Sequence, residues 1–339
     1  MEFLSLHNVT KELTLNKCAI PKPIGHEVLI RVAYSGICGT DLHILDGEFP
    51  AKSDSPLTLG HEFVGTVESV GSEVHNFTVG AKVAVNPNNG CNNCDLCHRG
   101  TYHFCENGGL RSTIGIFRNG GWATHAIVPD SQVHLVPDGV DLQHAVLAEP
   151  LSCIAHGWNR IGTIHIGEKV LVLGAGIIGL LWTAMLHLHG LRKTVTVSEP
   201  QEKRRLAVER LDLDYDVKAP AQVKDKFDLA VDCSGSGPAM ESAVSLLKHG
   251  GCLCIFGVAN PKSTFAIRPF DFFMKELKVL GVNINPFMFP KALDLLHAMG
   301  ERYLDYNKLG IRVFKLTEYK EALQALRDGE ISKAVFKCF

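Results

Sequence analysis

The sequence lacks an excess of charge of either sign. Its 339 residues include 34 lysines and arginines and 36 aspartates and glutamates, for a net charge of −2. This balance leaves no basic field to hold nucleic acid or an anionic membrane surface. The first residues show no basic stretch followed by an apolar core, so we expect no signal peptide and a cytoplasmic protein.

The sequence also lacks the features of a secreted, disulfide-stabilised protein, as well as internal repeats and low-complexity segments. It has 11 cysteines, an odd number, and no secretion signal. Clustered cysteines in such a chain are expected to be metal ligands rather than disulfide partners. Hydrophobic residues make up 46% of the chain. A chain of this length and composition is expected to form two globular domains, each with its own core.

Four cysteines follow the spacing C-x2-C-x2-C-x7-C, and they are Cys91, Cys94, Cys97 and Cys105. Four thiolates from one short segment form a closed tetrahedral site for structural zinc, with no position left for chemistry. An iron–sulfur centre uses similar ligands, and free surface thiols are the remaining alternative. The spacing favours structural zinc.

Two further loops carry potential metal ligands framed by glycines, Cys38 in G-I-C-G-T-D and His61 in G-H-E-F-V-G. Thiolate and imidazole are ligands of catalytic zinc, which keeps one position open for water or substrate. Glu149, beside a proline in an apolar run, would be costly to bury unpaired, so we expect it to reach the same metal directly or through water. Cys153 and His156 are nearby alternatives.

Residues 1–145 read as short strands and glycine-bounded loops, which predicts a β-rich, partly open barrel. The pattern then changes to strand, G-x-G-x-x-G and helix, which predicts a dinucleotide site rather than a membrane span. Glu199, at the end of the next strand, should bind the adenosine ribose and favour NAD over NADP, although Arg204 or Arg205 could meet a phosphate. The residues of the glycine loop are Gly174, Gly176, Ile177, Ile178 and Gly179.

Later strands alternate with helices, which predicts an α/β fold with a parallel, doubly wound sheet. Ligands bind at the carboxyl ends of such strands. We therefore expect four residues near these ends to face the dinucleotide, namely Gly235, Gly257, Val258 and Asn283.

Together, these motifs resemble the zinc-dependent medium-chain dehydrogenases, most closely the polyol branch with sorbitol, arabinitol and butanediol dehydrogenases. The resemblance implies a GroES-like catalytic domain over 1–150 with a zinc lobe at about 88–106, a Rossmann NAD-binding domain over 151–285, and a return segment over 286–339. It implies catalytic zinc on Cys38, His61 and either Glu62 or Glu149, and a homodimer or homotetramer. It further implies oxidation of a secondary alcohol to a ketone, with Thr40 and His43 carrying the proton and Glu62 tuning the metal.

The sequence departs from sorbitol dehydrogenases at Ile44 and Ile284, where those enzymes have an aromatic residue and an arginine. A 2,3-butanediol- or threonine-type substrate is therefore an alternative to a polyol. A non-catalytic relative is disfavoured because one set of residues is intact, namely Cys38, Thr40, His43, His61 and Glu149. A nucleic-acid zinc ribbon is disfavoured by the acidic net charge.

Overall fold

The computed structural model describes residues 1–7, 9–52 and 56–339. They form two compact units, each made of separate chain segments. The first comprises Met1–Ser152, Ile284–Gly300 and Ile311–Phe339, and the second comprises Cys153–Asn283 and Glu301–Gly310. The domain boundaries expected from the sequence stay a prediction, and Glu301–Gly310 groups with the second unit by its contacts.

The strands are β1 Glu2–Leu6, β2 Leu13–Lys17, β3 Glu27–Gly36, β4 Phe63–Val70, β5 Lys82–Val85, β6 His125–Pro129, β7 Val133–Leu135, β8 Val170–Leu173, β9 Val195–Ser198, β10 Asp216–Lys218, β11 Phe227–Asp232, β12 Leu247–Ile255, β13 Lys278–Gly281, β14 Ile311–Lys315 and β15 Lys333–Lys337. The helices are α1 Gly39–Leu45, α2 Asp95–His98, α3 Leu142–Ala145, α4 Ala148–Ile161, α5 Ile177–Leu188, α6 Glu202–Glu209, α7 Gly237–Leu246, α8 Pro269–Lys275, α9 Phe289–Leu304, α10 Tyr306–Leu309 and α11 Tyr319–Arg327.

The first unit is built on a seven-stranded sheet in the order β14-β15-β3-β4-β5-β7, with β6 also paired to β3. Strand β3 pairs antiparallel with both β4 and β15, so the end of β3 lies beside the start of β4 and beside the C-terminal strand. The Ile37 amide donates to the carbonyl of Ala334, which holds the residue after β3 against β15. Trp122 is fully buried in this core, and its indole N–H donates to the carbonyl of Gly36 at 3.1 Å.

The second unit contains a six-stranded parallel sheet in the order β10-β9-β8-β11-β12-β13. The order of the strands in the chain reverses between β8 and β11. Open α/β sheets bind ligands at such a reversal, beside the carboxyl ends of the strands. Every residue of β8 and β9 is buried, as apolar strands covered on both faces must be. The predicted α/β class, a β-rich domain with a doubly wound sheet, is confirmed.

Helix α5 carries the most apolar stretch of the sequence, but it has only 12 residues, too few for a bilayer. Across residues 1–7, 9–52 and 56–339, no helix combines the length and apolar character that a membrane crossing needs.

Candidate functional site

Cys38, His61 and Glu62 converge although they lie on two different loops. Cys38 follows β3 and is the residue before α1, while His61 and Glu62 immediately precede β4. Antiparallel pairing of these two strands brings the loops together, and the Gly36 amide donates to the Glu62 carbonyl at 2.7 Å. One ligand atom from each residue lies within 4.8 Å of the other two.

Asp41 supports this cluster from within α1. It is fully buried, and one carboxylate oxygen accepts the Cys38 amide at 2.8 Å. The other oxygen lies 3.5 Å from Nδ1 of His61. Burial alone would lower the pKa of His61, but the charges of Asp41 and Cys38 raise it well above its usual value. A carboxylate behind the imidazole is the arrangement that orients a histidine towards a metal.

Lys333 forms a buried ion pair with Glu62, a contact that the sequence reasoning missed. Its ammonium also lies 3.3 Å from the Ile37 carbonyl. Burial alone would lower the pKa of Lys333, but the nearby charges of Glu62 and Cys38 raise it above its usual value. Gly36 makes room for the pair, since a Cβ there would lie 2.1 Å from the Glu62 carboxylate. In sequence alone, Lys333 reads as the ordinary first residue of a strand.

Glu149 lies in the first turn of α4 and is 8% exposed. It is outside the group of ligand atoms formed by Cys38, His61 and Glu62. Its negative charge nevertheless contributes to the raised pKa of Lys333. Neither Cys153 nor His156, the alternatives from the sequence, belongs to a metal-ligand group within the described ranges. Of the two carboxylates, the structure therefore brings Glu62 to the cluster.

The donor set of this cluster fits zinc. Zinc binds sulfur, imidazole nitrogen and carboxylate oxygen, and a catalytic site has three protein ligands with a fourth position open. The Nδ1 of His61 and one oxygen of Asp41 are buried without a hydrogen-bond partner among the residues that the structure describes. The acidic surroundings that raise the pKa of His61 are also those that favour a cation.

The two predicted relay residues, Thr40 and His43, lie on α1, directly after Cys38. They are three residues apart and therefore share one face of the helix. Both are partly exposed, and Nδ1 of His43 lies 2.7 Å from Oε2 of Glu48. Both residues therefore lie on the helix that begins beside Cys38, and their relay role stays a prediction.

The four cysteines of the predicted structural site converge, with ligand atoms within 4.8 Å of one another. The sulfurs of Cys91 and Cys97 are 3.9 Å apart, and those of Cys94 and Cys105 are 3.7 Å apart. Tetrahedral zinc with ~2.3 Å bonds to sulfur requires sulfurs about 3.8 Å apart. A bond from the Cys91 amide lowers the pKa of Cys105 to about 7, whereas burial raises the pKa of Cys97 to about 11, so the fit to zinc rests on the sulfur spacing. The cysteine lobe therefore fits zinc.

A buried amide network anchors the base of this lobe, and Asn285 is its centre. Asn285 is fully buried; its carboxamide accepts from Asn88 at 2.9 Å and donates to the hydroxyl of Ser152 at 2.7 Å. Ser152 in turn donates to the carbonyl of Glu149. The network thereby joins the lobe to the first turn of α4. No sequence signal marked Asn285, because its partners are 133 and 197 residues away.

The predicted glycine loop connects β8 to α5. Gly174 has a φ of +91°, which favours glycine, and a Cβ on Gly179 would lie 2.1 Å from the Gly174 carbonyl. At Gly176 a Cβ would meet no heavy atom within 4 Å, so the backbone there is open to a ligand. Ile177 and Ile178 form the first turn of α5, whose free amides suit a pyrophosphate.

A cavity of about 440 Å³ lies at the carboxyl ends of β8 and β9, lined by residues that include Gly174, Gly176, Glu199 and Arg204. The Glu199 carboxylate is held by the amides of Ala175 at 2.8 Å and Gln201 at 2.9 Å. Arg205, the other arginine considered from the sequence, donates instead to the carbonyls of Glu199 and Pro200.

The remaining predicted cofactor residues lie outside the lining of this cavity. Gly235 and Gly257 pack closely, since a Cβ on Gly257 would lie 2.6 Å from the Gly235 amide nitrogen. Val258 is 53% exposed, and Asn283 is also exposed. Their cofactor role stays a prediction.

Two family profiles match successive parts of the chain. The profile described as "Alcohol dehydrogenase GroES-like domain" matches residues 25–138, and the profile described as "Glucose dehydrogenase C-terminus" matches residues 142–336. The second covers more than half of the chain.

Individual relatives agree with these profiles. The chain is 32% identical to D-arabinitol dehydrogenase 1 of Uromyces fabae, over 96% of this chain and 94% of the relative. It is 33% identical to D-altritol 5-dehydrogenase of Agrobacterium fabrum, over 82% and 83% of the two chains. Among solved structures, it is similar to a chain from Sinorhizobium meliloti described as a zinc-binding dehydrogenase bound to NADP, with a TM-score of 0.88, 31% identity and 99% coverage of both chains.

Proposed function

Because the chain belongs to the zinc-dependent medium-chain dehydrogenase family and is an alcohol dehydrogenase of that family, we propose that it oxidises a secondary hydroxyl group of a polyol or sugar alcohol to a ketone with NAD. The observation that carries the proposal is the convergence of Cys38, His61 and Glu62 on one point. These residues provide sulfur, nitrogen and oxygen ligands, the set expected of a catalytic rather than a structural zinc site.

Each residue of the cluster has a distinct role in this proposal. Cys38, His61 and Glu62 would hold the metal. The negative charge of Glu149 acts on Lys333, the partner of Glu62. When bound, zinc stabilises negative charge on the alcohol oxygen, and the nicotinamide accepts the hydride. Thr40 accepts the hydroxyl proton as it gives up its own, and His43 receives a proton and releases it to solvent.

The cofactor proposal rests on the glycine loop and on Glu199. The Glu199 carboxylate is held by two backbone amides on the lining of the cavity, and a carboxylate at this place disfavours a 2′-phosphate. Arg204 lines the same cavity, so NADP belongs in the test as a competing cofactor.

The substrate class is proposed from the relatives, which are named for D-arabinitol and D-altritol. Ile44 gives no guidance on the substrate, because the structure places it fully buried in the core of the first unit.

The test is an activity screen of the purified enzyme with NAD and NADP across four- to six-carbon polyols, 2,3-butanediol and L-threonine, together with zinc analysis. We expect reduction of NAD by at least one polyol, a much slower reaction with NADP, and one zinc for each of the two ligand groups. Activity on L-threonine or 2,3-butanediol alone would reject the polyol proposal.

Two substitutions assign the metal sites. Cys38→Ser should abolish activity and remove one zinc, whereas Cys18→Ser, at an exposed free thiol, should change neither. A Cys38→Ser variant that lost its zinc and kept parental activity would contradict the proposed role of the metal.

The proposal includes a homodimer or homotetramer. Strand β13 is an edge of the six-stranded sheet, and Phe270 and Phe273 on α8 are 72% and 76% exposed. An open strand edge beside exposed aromatic side chains favours association with a second copy. Light scattering of the purified protein tests it. A cytoplasmic location is proposed because none of the 11 cysteines, all of which the structure describes, forms a disulfide.

A further inference from the structure

Glu48 contacts the proposed relay residue His43 and has no role in the site described so far. Its Oε2 lies 2.7 Å from Nδ1 of His43. The side chain of His43 is 32% exposed and that of Glu48 is 40% exposed, so the pair lies at the solvent edge of the first unit. From the geometry we infer that Glu48 is a positioning residue for proton transfer, which holds His43 with Nε2 as its proton acceptor. This inference rests on the proposed function.

The backbone builds the pair into the turn after α1. The amides of Glu48 and Phe49 both donate to the carbonyl of His43, at 2.8 and 3.2 Å. Gly47, with a φ of +75°, lets the chain reverse at this point. The turn therefore returns the backbone of Glu48 to the histidine that its side chain contacts.

A carboxylate bonded to Nδ1 has two consequences for the imidazole. It fixes the tautomer with hydrogen on Nδ1, so Nε2 carries the lone pair that accepts a proton. It also stabilises the imidazolium formed when that proton arrives. The proton then leaves from Nε2 to solvent, which restores the starting tautomer and balances the step.

A second carboxylate also faces His43, but it is committed elsewhere. Asp46, at the end of α1, receives two bonds from Arg327, at 3.0 and 2.6 Å. Those bonds hold the pKa of Asp46 below its usual value, and the charge of Arg327 offsets that of Asp46. Glu48 is thus the carboxylate in direct contact with the ring.

The test compares Glu48→Gln and Glu48→Asp with a control, Glu73→Gln. Glu73 lies 2.9 Å from Nε2 of His26 in another exposed histidine–carboxylate pair, so its substitution removes the same kind of contact away from the relay. The readouts are kcat against pH for alcohol oxidation, KM for NAD, zinc content, and the histidine tautomer from ¹⁵N NMR, with His43 assigned by a His43→Gln variant.

We expect Glu48→Gln to lower kcat at neutral pH about tenfold, with KM for NAD and zinc content unchanged. The rising limb of kcat against pH should also change, because the imidazole no longer presents Nε2 alone as the proton acceptor. His43 should lose its preference for hydrogen on Nδ1. Glu48→Asp should recover part of each change, and Glu73→Gln should show none.

A Glu48→Gln enzyme with the parental tautomer and the parental pH limb would overturn this inference and leave the proposed function standing. If the parent oxidised no alcohol at all, the proposed function would fail, while the NMR measurement would still decide whether Glu48 sets the tautomer of His43. A lower melting temperature with no change in tautomer or pH limb would show a structural contact only, and would also overturn the inference.

Discussion

Lys333 and Glu62 form a buried ion pair that joins the C-terminal strand to the proposed metal cluster. Their side chains are 1% and 2% exposed. Glu62 thus has the Cys38 thiol and the His61 imidazole close to it, and its carboxylate also contacts the ammonium group of Lys333. Two buried charges are tolerated only when each has a partner, so neither residue is expected to be replaceable alone.

Lys333→Met should therefore destabilise the enzyme by about 3–5 kcal/mol, because the Glu62 carboxylate would be left buried without its partner. Urea unfolding of the zinc-loaded enzyme measures the effect. The control is Lys169→Met, which breaks an exposed pair with Asp225 and should cost less than about 1 kcal/mol. In a Glu62→Gln background, which already lacks the buried carboxylate and the metal ligand, Lys333→Met should cost clearly less than in the parent. An equal cost in both backgrounds would refute this explanation.

The glycine loop offers two substitutions with different expected effects. Gly179→Ala should lower the free energy of unfolding by about 1–3 kcal/mol, because its methyl group would collide with the Gly174 carbonyl. Gly176→Ala should leave stability nearly unchanged but weaken NADH binding about tenfold, because the methyl group occupies the approach to the pyrophosphate. NADH fluorescence titration and thermal unfolding separate the two effects. Equal losses of stability in both variants would count against this assignment.

The Asp46–Arg327 pair predicts a pH-dependent contribution to stability. The pKa of Asp46 is lowered in the folded state, chiefly by its hydrogen bond with Arg327. Its stabilisation is therefore complete above the unfolded value of 3.8 and is lost as pH falls through the lower folded value. Arg327→Met should cost less than about 1 kcal/mol at pH 7, since the pair is partly exposed.

The same variant should differ progressively less from the parent as the pH falls below 3.8. Urea midpoints collected between pH 7 and pH 3 provide the measurement, with Arg99→Met, from an exposed pair with Asp95, as the control. A difference that stayed constant over this range would show that Arg327 acts through packing alone.

Local motifs made much of this protein readable from its sequence. The four lobe cysteines lie within 15 consecutive residues, and the glycine loop occupies six, so spacing alone specifies their geometry. The parallel sheet follows from alternating strands and helices, and its class is confirmed. The motifs carrying Cys38 and His61 were also visible, although their convergence depends on the pairing of β3 with β4.

Other residues acquired a role only in the folded structure. Both Glu62 and Glu149 remained possible third ligands in the sequence, and the backbone beside β4 brings Glu62 to Cys38 and His61. Arg204 and Arg205 were equivalent in the sequence, but they point to a cavity and to backbone carbonyls respectively. Adjacent residues diverge in this way because local conformation, and not residue type, sets where each side chain goes.

The potential ligands, the dinucleotide loop and the family resemblance are readable from the sequence, because each depends on residues close together in the chain. The pairing of Lys333 with Glu62 and the link from the cysteine lobe through Asn285 to α4 are visible only in the folded structure. These contacts join residues far apart in the chain, up to 197 residues for Asn88 and Asn285. They arise from strand pairing and from the return of the chain to the first unit, which no local pattern encodes.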